Sequence, residues 1–292
     1  MSAFRYDTTG RWYKGNTHVH TTASDGGKTA AELSRLYADA GYRFLVRADH
    51  WVASDAAADG EQAPLLWLDG IELDGADNVG AYFHVACLGR FEGISRSLGF
   101  VAALEAARAQ GGLLILAHPC WTGNSVDDAL RWGFHGVEIY NHVAQWFNGK
   151  GESLCHWNAM LGRAPGMLGL AVDDAHVSAD HPGWNGGWIV VNARECSPQA
   201  ILAAIRAGNF YSSCGPEMHG IEWDGRRLRV TCSPVQFARL VGPGMWGLRL
   251  GRFDEARLTE FEFDVPRDWP YVYLEVEDAE RRRAWTNTLF VA

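Results

Sequence analysis

Histidines and carboxylates recur along this chain in positions suited to holding metal ions. Asn16-Thr17-His18-Val19-His20 ends a strand-like stretch, and residues i and i+2 of a strand face the same side, so both imidazoles can reach one ion. The polar turn Thr21-Thr22-Ala23-Ser24-Asp25-Gly26 then delivers a carboxylate near the same strand end. Ala48-Asp49-His50, Gly70-Ile71-Glu72-Leu73, Leu116-Ala117-His118-Pro119 and Asp173-Asp174-Ala175-His176 follow, and His84 lies in the apolar run Ala81 to Leu88. An isolated H-x-H is weak evidence, and His84 alone reads as a satisfied core histidine. Their common placement carries the argument. Six of eleven histidines and the carboxylates Asp25, Glu72 and Asp174 fall on or just after predicted strands. Nine imidazole and carboxylate ligands without a thiolate suit two or three ions such as Zn, Mn or Fe, rather than an all-oxygen Mg or Ca cage.

The elements that must position these groups alternate. Strands are expected at Arg11 to Val19, Tyr42 to Ala48, Gly70 to Leu73, Tyr82 to Leu88, Leu113 to Ala117, Gly136 to Tyr140, Leu168 to Val172 and Gly187 to Val191. Helical spacing marks Thr29 to Ala40, Phe100 to Gln110, Leu154 to Leu161 and Pro198 to Ala207, the last opened by a Ser197 cap and a proline at its first position. This alternation implies a mostly parallel α/β sheet, doubly wound or closed as a barrel, with functional groups gathered at the carboxyl ends of the strands. After Gly215 the segments become short, alternating and Gly/Pro-punctuated. That pattern predicts a small antiparallel β module over 216–292, appended to a unit spanning 1–215.

Composition removes several function classes. The 292 residues carry 26 Lys+Arg against 35 Asp+Glu, a formal charge of −9, and are 47% hydrophobic, as in a soluble globular protein with a sizeable core. No basic run is available to neutralise phosphates of a nucleic-acid polymer, since Arg281-Arg282-Arg283 is flanked by Glu275, Glu277, Asp278 and Glu280. No apolar run suits a signal peptide or a membrane span, so a cytoplasmic location and no membrane partner are expected. The six cysteines lack a C-x-x-C pair and read as reduced thiols. Gly242 to Gly247 spells G-x-G-x-x-G but lies in the β-rich tail with no helix after it, and neither a G-x-S-x-G elbow nor a Walker A loop is present.

The ordered motifs HVH (18–20), ADH (48–50), GIEL (70–73), AHP (117–119) and DDAH (173–176) resemble the polymerase-and-histidinol-phosphatase (PHP) family of metal-dependent phosphoesterases, over roughly residues 12–215. The resemblance implies a distorted (β/α)7 PHP barrel with a two- or three-metal site at the strand ends. It implies His18, His20, Glu72 and Asp174 around one ion, Asp25, His50 and His176 around a second, and Glu72, His84 and His118 around a third. Catalysis is then expected to depend on Glu72, His118 and Asp174. Gly208 to Pro216 and Ala284-Trp285-Thr286-Asn287 further resemble the CehA/McbA-type metallohydrolase branch, although Ala48 stands where T-D-H is usual and Asn158 where Trp-Asp is expected.

The activity implied is hydrolysis of small phosphate esters, phosphomonoester or nucleotide, by a hydroxide activated at a di- or trinuclear site. Three carboxylates against two or three divalent ions leave a cationic pocket for a small anionic substrate. The alternatives are carbamate or carboxylic-ester hydrolysis at the same site, and a non-catalytic metal-binding role. Arg47 reads either as a phosphate-binding cation or as an interior arginine paired with a carboxylate. Trp51, Trp121 and Trp184 follow ligand motifs and read either as pocket walls or as core. His181 and His219 are candidate proton donors. The sequence leaves the oligomeric state open.

Overall fold

The computed structural model describes residues 3–56 and 64–291. Two sheets carry the fold. A nine-stranded sheet runs, in spatial order, through Gly247–Leu250, Phe237–Val241, Tyr273–Glu277, Arg283–Thr286, Phe210–Ser213, Trp188–Ala193, Arg11–Val19, Phe44–Arg47 and Leu66–Leu68. A five-stranded sheet contains Gly70–Ala76, Tyr82–Leu88, Leu113–Leu116, Gly136–Asn141 and Leu168–Val172. A three-stranded antiparallel sheet, Met218–Trp223, Arg227–Val235 and Leu258–Asp264, packs its Ile221, Leu228, Val230 and Phe263 into the core.

Local chemistry explains the helices. Ala30–Asp39 begins at a capping box in which Thr29 Oγ1 accepts from Glu32 N (3.3 Å) and Glu32 Oε2 accepts from Thr29 N (2.8 Å), and it buries Leu33 and Tyr37. Pro198–Ala207 starts with the Ser197 cap and Pro198 and ends at Gly208, whose φ of 74° suits glycine. Among the described residues after Ala207, every helical or strand element is a strand. No described helix is long and apolar enough to cross a membrane.

The expected (β/α)7 barrel is not closed. Continuous parallel pairing would need a crossover after each strand. Here Gly70–Ala76 turns straight back into Tyr82–Leu88, which is antiparallel to both its neighbours. Asp77 makes that turn by accepting the N–H groups of Val79 and Ala81 (both 3.0 Å). The result is a mixed α/β fold of open sheets. Isolated bridges at His50↔Glu72 and Val19↔Ala175 join the two sheets where the motifs lie.

Candidate metal centre

Backbone geometry brings the five motifs together. His20 N donates to Ala175 O (2.9 Å), Trp51 N to Glu72 O (2.9 Å) and Ala117 N to His84 O (3.0 Å), so the seams between strands are stitched at the histidines themselves. Asn16 Oδ1 accepts from His18 N (3.1 Å) and Asp173 N (3.3 Å), tying the first motif to the last. Asp49, the middle residue of the ADH motif, accepts from Thr21 N (2.7 Å), Thr21 Oγ1 (2.7 Å) and Ser24 Oγ (2.8 Å), and thereby sets the turn that carries Asp25. Among the described non-glycine residues six have positive φ, and these include His118 (29°), Asp174 (55°) and Trp51 (57°), the neighbour of His50. Such conformations cost about 1–3 kcal/mol each and persist where surrounding structure imposes them.

The side chains converge. His18 Nε2, His20 Nε2 and Glu72 Oε2 form a triangle with edges of 3.1, 3.3 and 3.4 Å. Asp174 Oδ1 completes a second triangle on the same histidine pair, 3.3 Å from His18 Nε2 and 3.0 Å from His20 Nε2. Ligands about 2.0–2.1 Å from one first-row ion lie roughly 3.0–3.4 Å from one another, so these spacings match those of a shared ion. A second cluster joins Asp25, His50 and His176 with the other nitrogen of His20, which lies 3.5 Å from Asp25 Oδ1. A third joins His50, Glu72 and His84, and His118 Nε2 stands 3.7 Å from Glu72 Oε1. All nine sequence-derived candidates therefore meet in one place, with His20, His50 and Glu72 shared between clusters.

Polar atoms at the centre lack partners. His20 Nδ1, His118 Nδ1 and Glu72 Oε2 are buried and make no hydrogen bond, although Glu72 Oε2 is within 3.4 Å of imidazole nitrogens from His18, His20 and His50. Buried polar groups are normally satisfied, and Glu72 Oε2, unpaired while facing three imidazoles, fits a bound cation. The donor set of imidazole and carboxylate fits the same divalent ions.

Burial disfavours charge on every group here, and the ion pairs oppose it. Burial pulls the His18 imidazole down, but Asp174, Glu72 and Glu138 together push its pKa well above the ordinary value. His20 goes the other way, because burial dominates. Burial would raise the Glu72 and Asp174 carboxyls, yet His18 and the adjoining histidines hold both well below the carboxylate range. Against burial, Asp74, Glu72 and Asp25 push His50 up to about 9. The nearby carboxylates hold His18, His50, His118 and His176 above the ordinary imidazole value, so ion binding there competes with protons.

Two carboxylates not expected from the sequence support the ligands. Glu138 is buried and accepts from His18 Nδ1 (2.7 Å), the His118 backbone N–H (3.0 Å) and Asn141 Nδ2 (2.9 Å). Asp74 lies with Oδ1 3.1 Å from His50 Nδ1 and accepts from Tyr82 OH (3.0 Å). Such partners orient a ligating imidazole and fix its tautomer. Glu138 had a signal available: it is a lone carboxylate within the apolar strand Gly136–Asn141.

A cavity of about 500 Å³ opens on the cluster, walled by Trp121, Val143, Ala144 and Phe147 and by the polar Ser178, Asp180 and His181. Trp121 stands edge-on to His118, with ring centroids 4.9 Å apart. Trp184 packs instead on Tyr37, and His219 lies exposed on the Met218–Trp223 strand. Arg47 donates from Nε to Asp49 Oδ2 at 2.6 Å in the interior of the fold.

No family model matches the chain, and no curated protein matches it in sequence. Among solved structures, a two-domain protein from Bacteroides vulgatus containing a predicted PHP-like metal-dependent phosphoesterase aligns at a TM-score of 0.54 and 15% identity, over 96% of this chain and 95% of that one. That likeness is one of fold. A putative metal-dependent phosphoesterase from Bifidobacterium adolescentis aligns at 0.43 and 16%, covering 58% of this chain and 90% of that one. An amidohydrolase from Chromobacterium violaceum with bound sulfate and no metal aligns at 0.41 and 15%, with the same coverages.

Proposed function

We propose that the chain is a metal-dependent hydrolase of small phosphate esters, with residues 1–215 carrying the chemistry and 216–292 forming a β-rich accessory part. One observation carries this reading: the Nε2 atoms of His18 and His20 lie 3.1 Å apart, and each is 3.0–3.4 Å from Glu72 Oε2 and from Asp174 Oδ1, beside an open cavity. In this reading His18, His20, Glu72 and Asp174 hold one ion, Asp25, His50 and His176 a second, and Glu72, His84 and His118 a third. Divalent ions held there supply Lewis acidity and bring the pKa of water toward neutrality. Glu138 keeps His18 turned toward the centre, Asp74 places a negative charge beside His50, and Trp121 and Phe147 wall one side of the site.

A second reading, hydrolysis of a carbamate or carboxylic ester, draws on the wall of the same cavity. Its lining contains Trp121, Val143, Ala144 and Phe147 but no lysine or arginine among the described residues, which suits an apolar acyl or aryl group. The stretches that resemble the CehA/McbA-type branch lie side by side, with Tyr211, Ser212 and Ser213 paired to Thr286, Trp285 and Ala284 in adjacent strands.

The test is hydrolysis by Mn- or Zn-loaded protein of p-nitrophenyl phosphate, a nucleotide panel, p-nitrophenyl acetate and an aryl carbamate, with Glu72→Gln as control. Phosphate release that disappears in Glu72→Gln is expected. Turnover of acetate or carbamate alone replaces the first reading with the second.

A further inference from the structure

A second cavity of about 430 Å³ adjoins the ligand cluster and is lined by Ser24, Asp25, His50, Asp74, Tyr82, His84 and Arg96. It shares Asp25, His50 and His84 with the first cavity, so the two meet over the ligands. Among the described residues lining either cavity, Arg96 is the one arginine or lysine.

Its placement is built. Arg96 Nη2 and Nη1 donate to Asp74 Oδ1 (3.2 Å) and Oδ2 (3.4 Å), and the guanidinium lies 5.3 Å from the centre of the Trp51 ring. Trp51 itself holds a φ of 57°, a conformation that costs energy and that here sets its ring beneath the arginine. Asp74 is the carboxylate that also faces His50, so Arg96 stands one residue beyond a metal-ligand candidate, with most of its side chain exposed. Two of its N–H groups serve Asp74, and the guanidinium fork carries five. Asp25 and Asp74 on the same wall oppose an anion, but Asp74 is compensated by Arg96 and His50, and Asp25 by His20, His50 and His176 at 3.2–3.8 Å.

We propose that Arg96 forms an anion subsite that holds a second negatively charged group of the substrate, a carboxylate or phosphate remote from the scissile ester. The proposal rests on the phosphoesterase reading of the ligand cluster. The substrate is then two-ended, with its scissile group over the shared residues and its anionic end toward Arg96. A guanidinium fork suits both anions, and such charge-assisted bonds are worth about tenfold to hundredfold in affinity.

Calorimetric binding to Zn-loaded protein tests this with three non-hydrolysable probes: ethylphosphonate, 3-phosphonopropionate, which adds a carboxylate, and ethane-1,2-bisphosphonate, which adds a second phosphonate. Wild type is expected to bind at least one doubly anionic probe about tenfold or more tighter than ethylphosphonate, and the preferred probe identifies the anion. Arg96→Ala should reduce that preference to about twofold while leaving ethylphosphonate affinity, zinc content and melting temperature unchanged, and Arg96→Lys should restore part of it. Ethylphosphonate binding without a preference in wild type, or an equal loss for all probes in Arg96→Ala, overturns the subsite and leaves the phosphoesterase reading standing. Failure of every probe to bind overturns both.

Discussion

Replacing Glu138 with glutamine removes one charge and almost no volume from beneath the ligand cluster. Glu138 Oε1 accepts from His18 Nδ1 at 2.7 Å, while Oε2 accepts from the His118 backbone at 3.0 Å and from Asn141 Nδ2 at 2.9 Å. All three partners donate to the carboxylate, so the new amide's NH2 group meets a donor unless His18 moves its proton to Nε2, which removes that nitrogen as a ligand. A buried donor left unmatched costs about 1–3 kcal/mol, and urea unfolding of metal-free Glu138→Gln should show a loss of that order. The functional consequence is separate. Glu138 holds the Nδ1 proton of His18 and so leaves Nε2 toward Glu72 and Asp174; losing such a partner typically weakens metal affinity about 10–100-fold. Competition of zinc with a chromophoric chelator, at fixed pH, should show that weakening. A folded Glu138→Gln protein whose zinc affinity stays within about twofold of wild type would refute the claim that Glu138 orients His18 as a ligand.

Other outcomes follow from the same geometry. Asp49→Ala removes the buried acceptor of Thr21, Ser24 and Arg47 and should cost about 3–5 kcal/mol in urea unfolding, while Arg47→Ala should lower stability and leave KM for p-nitrophenyl phosphate unchanged; a KM effect without a stability loss would give Arg47 a substrate role. In the metal-free chain His50 is raised to about 9 from an ordinary value near 6.5, and His118 and His176 are also raised. Their contribution to stability is complete below about pH 6.5 and is lost as pH rises through the folded values, so the urea midpoint in the presence of chelator should fall between pH 6.5 and 9; a rise would contradict the charge balance described. Trp121→Ala, which removes a ring 39% exposed, should raise KM for aryl substrates several-fold with the melting temperature nearly unchanged, as read by steady-state kinetics and calorimetry.

The candidate ligands were legible in the sequence because they stand on strands or just after them, several where a polar residue ends an apolar run. His118 after Leu113–Leu116 and Asp174 after Leu168–Val172 show this directly. The open architecture was not legible. Gly70 to Leu73 and Tyr82 to Leu88 read as two strands of an alternating α/β chain, and the Asp77 turn makes them an antiparallel hairpin. Nor could spacing reveal sharing of ligands: His20 uses Nε2 toward Asp174 and Nδ1 toward Asp25, a choice fixed by ring orientation. Arg47 and Asp49 lie two residues apart on one strand end, so their pairing was an available alternative, but the Thr21 and Ser24 contacts that complete it depend on the fold of the turn. Asp74 and Arg96 are separated by 22 residues and carry no motif.

Metal content per folded chain bears most directly on the account. Purified protein loaded with zinc or manganese, dialysed free of loosely held ions and measured by elemental analysis, should retain at least two equivalents, and Glu72→Gln, which alters the carboxylate shared between clusters, should lose more than half of them. Wild-type protein that is folded yet retains less than about a tenth of an equivalent of either metal would contradict the account, since its nine converging side chains would then hold only one another's protons.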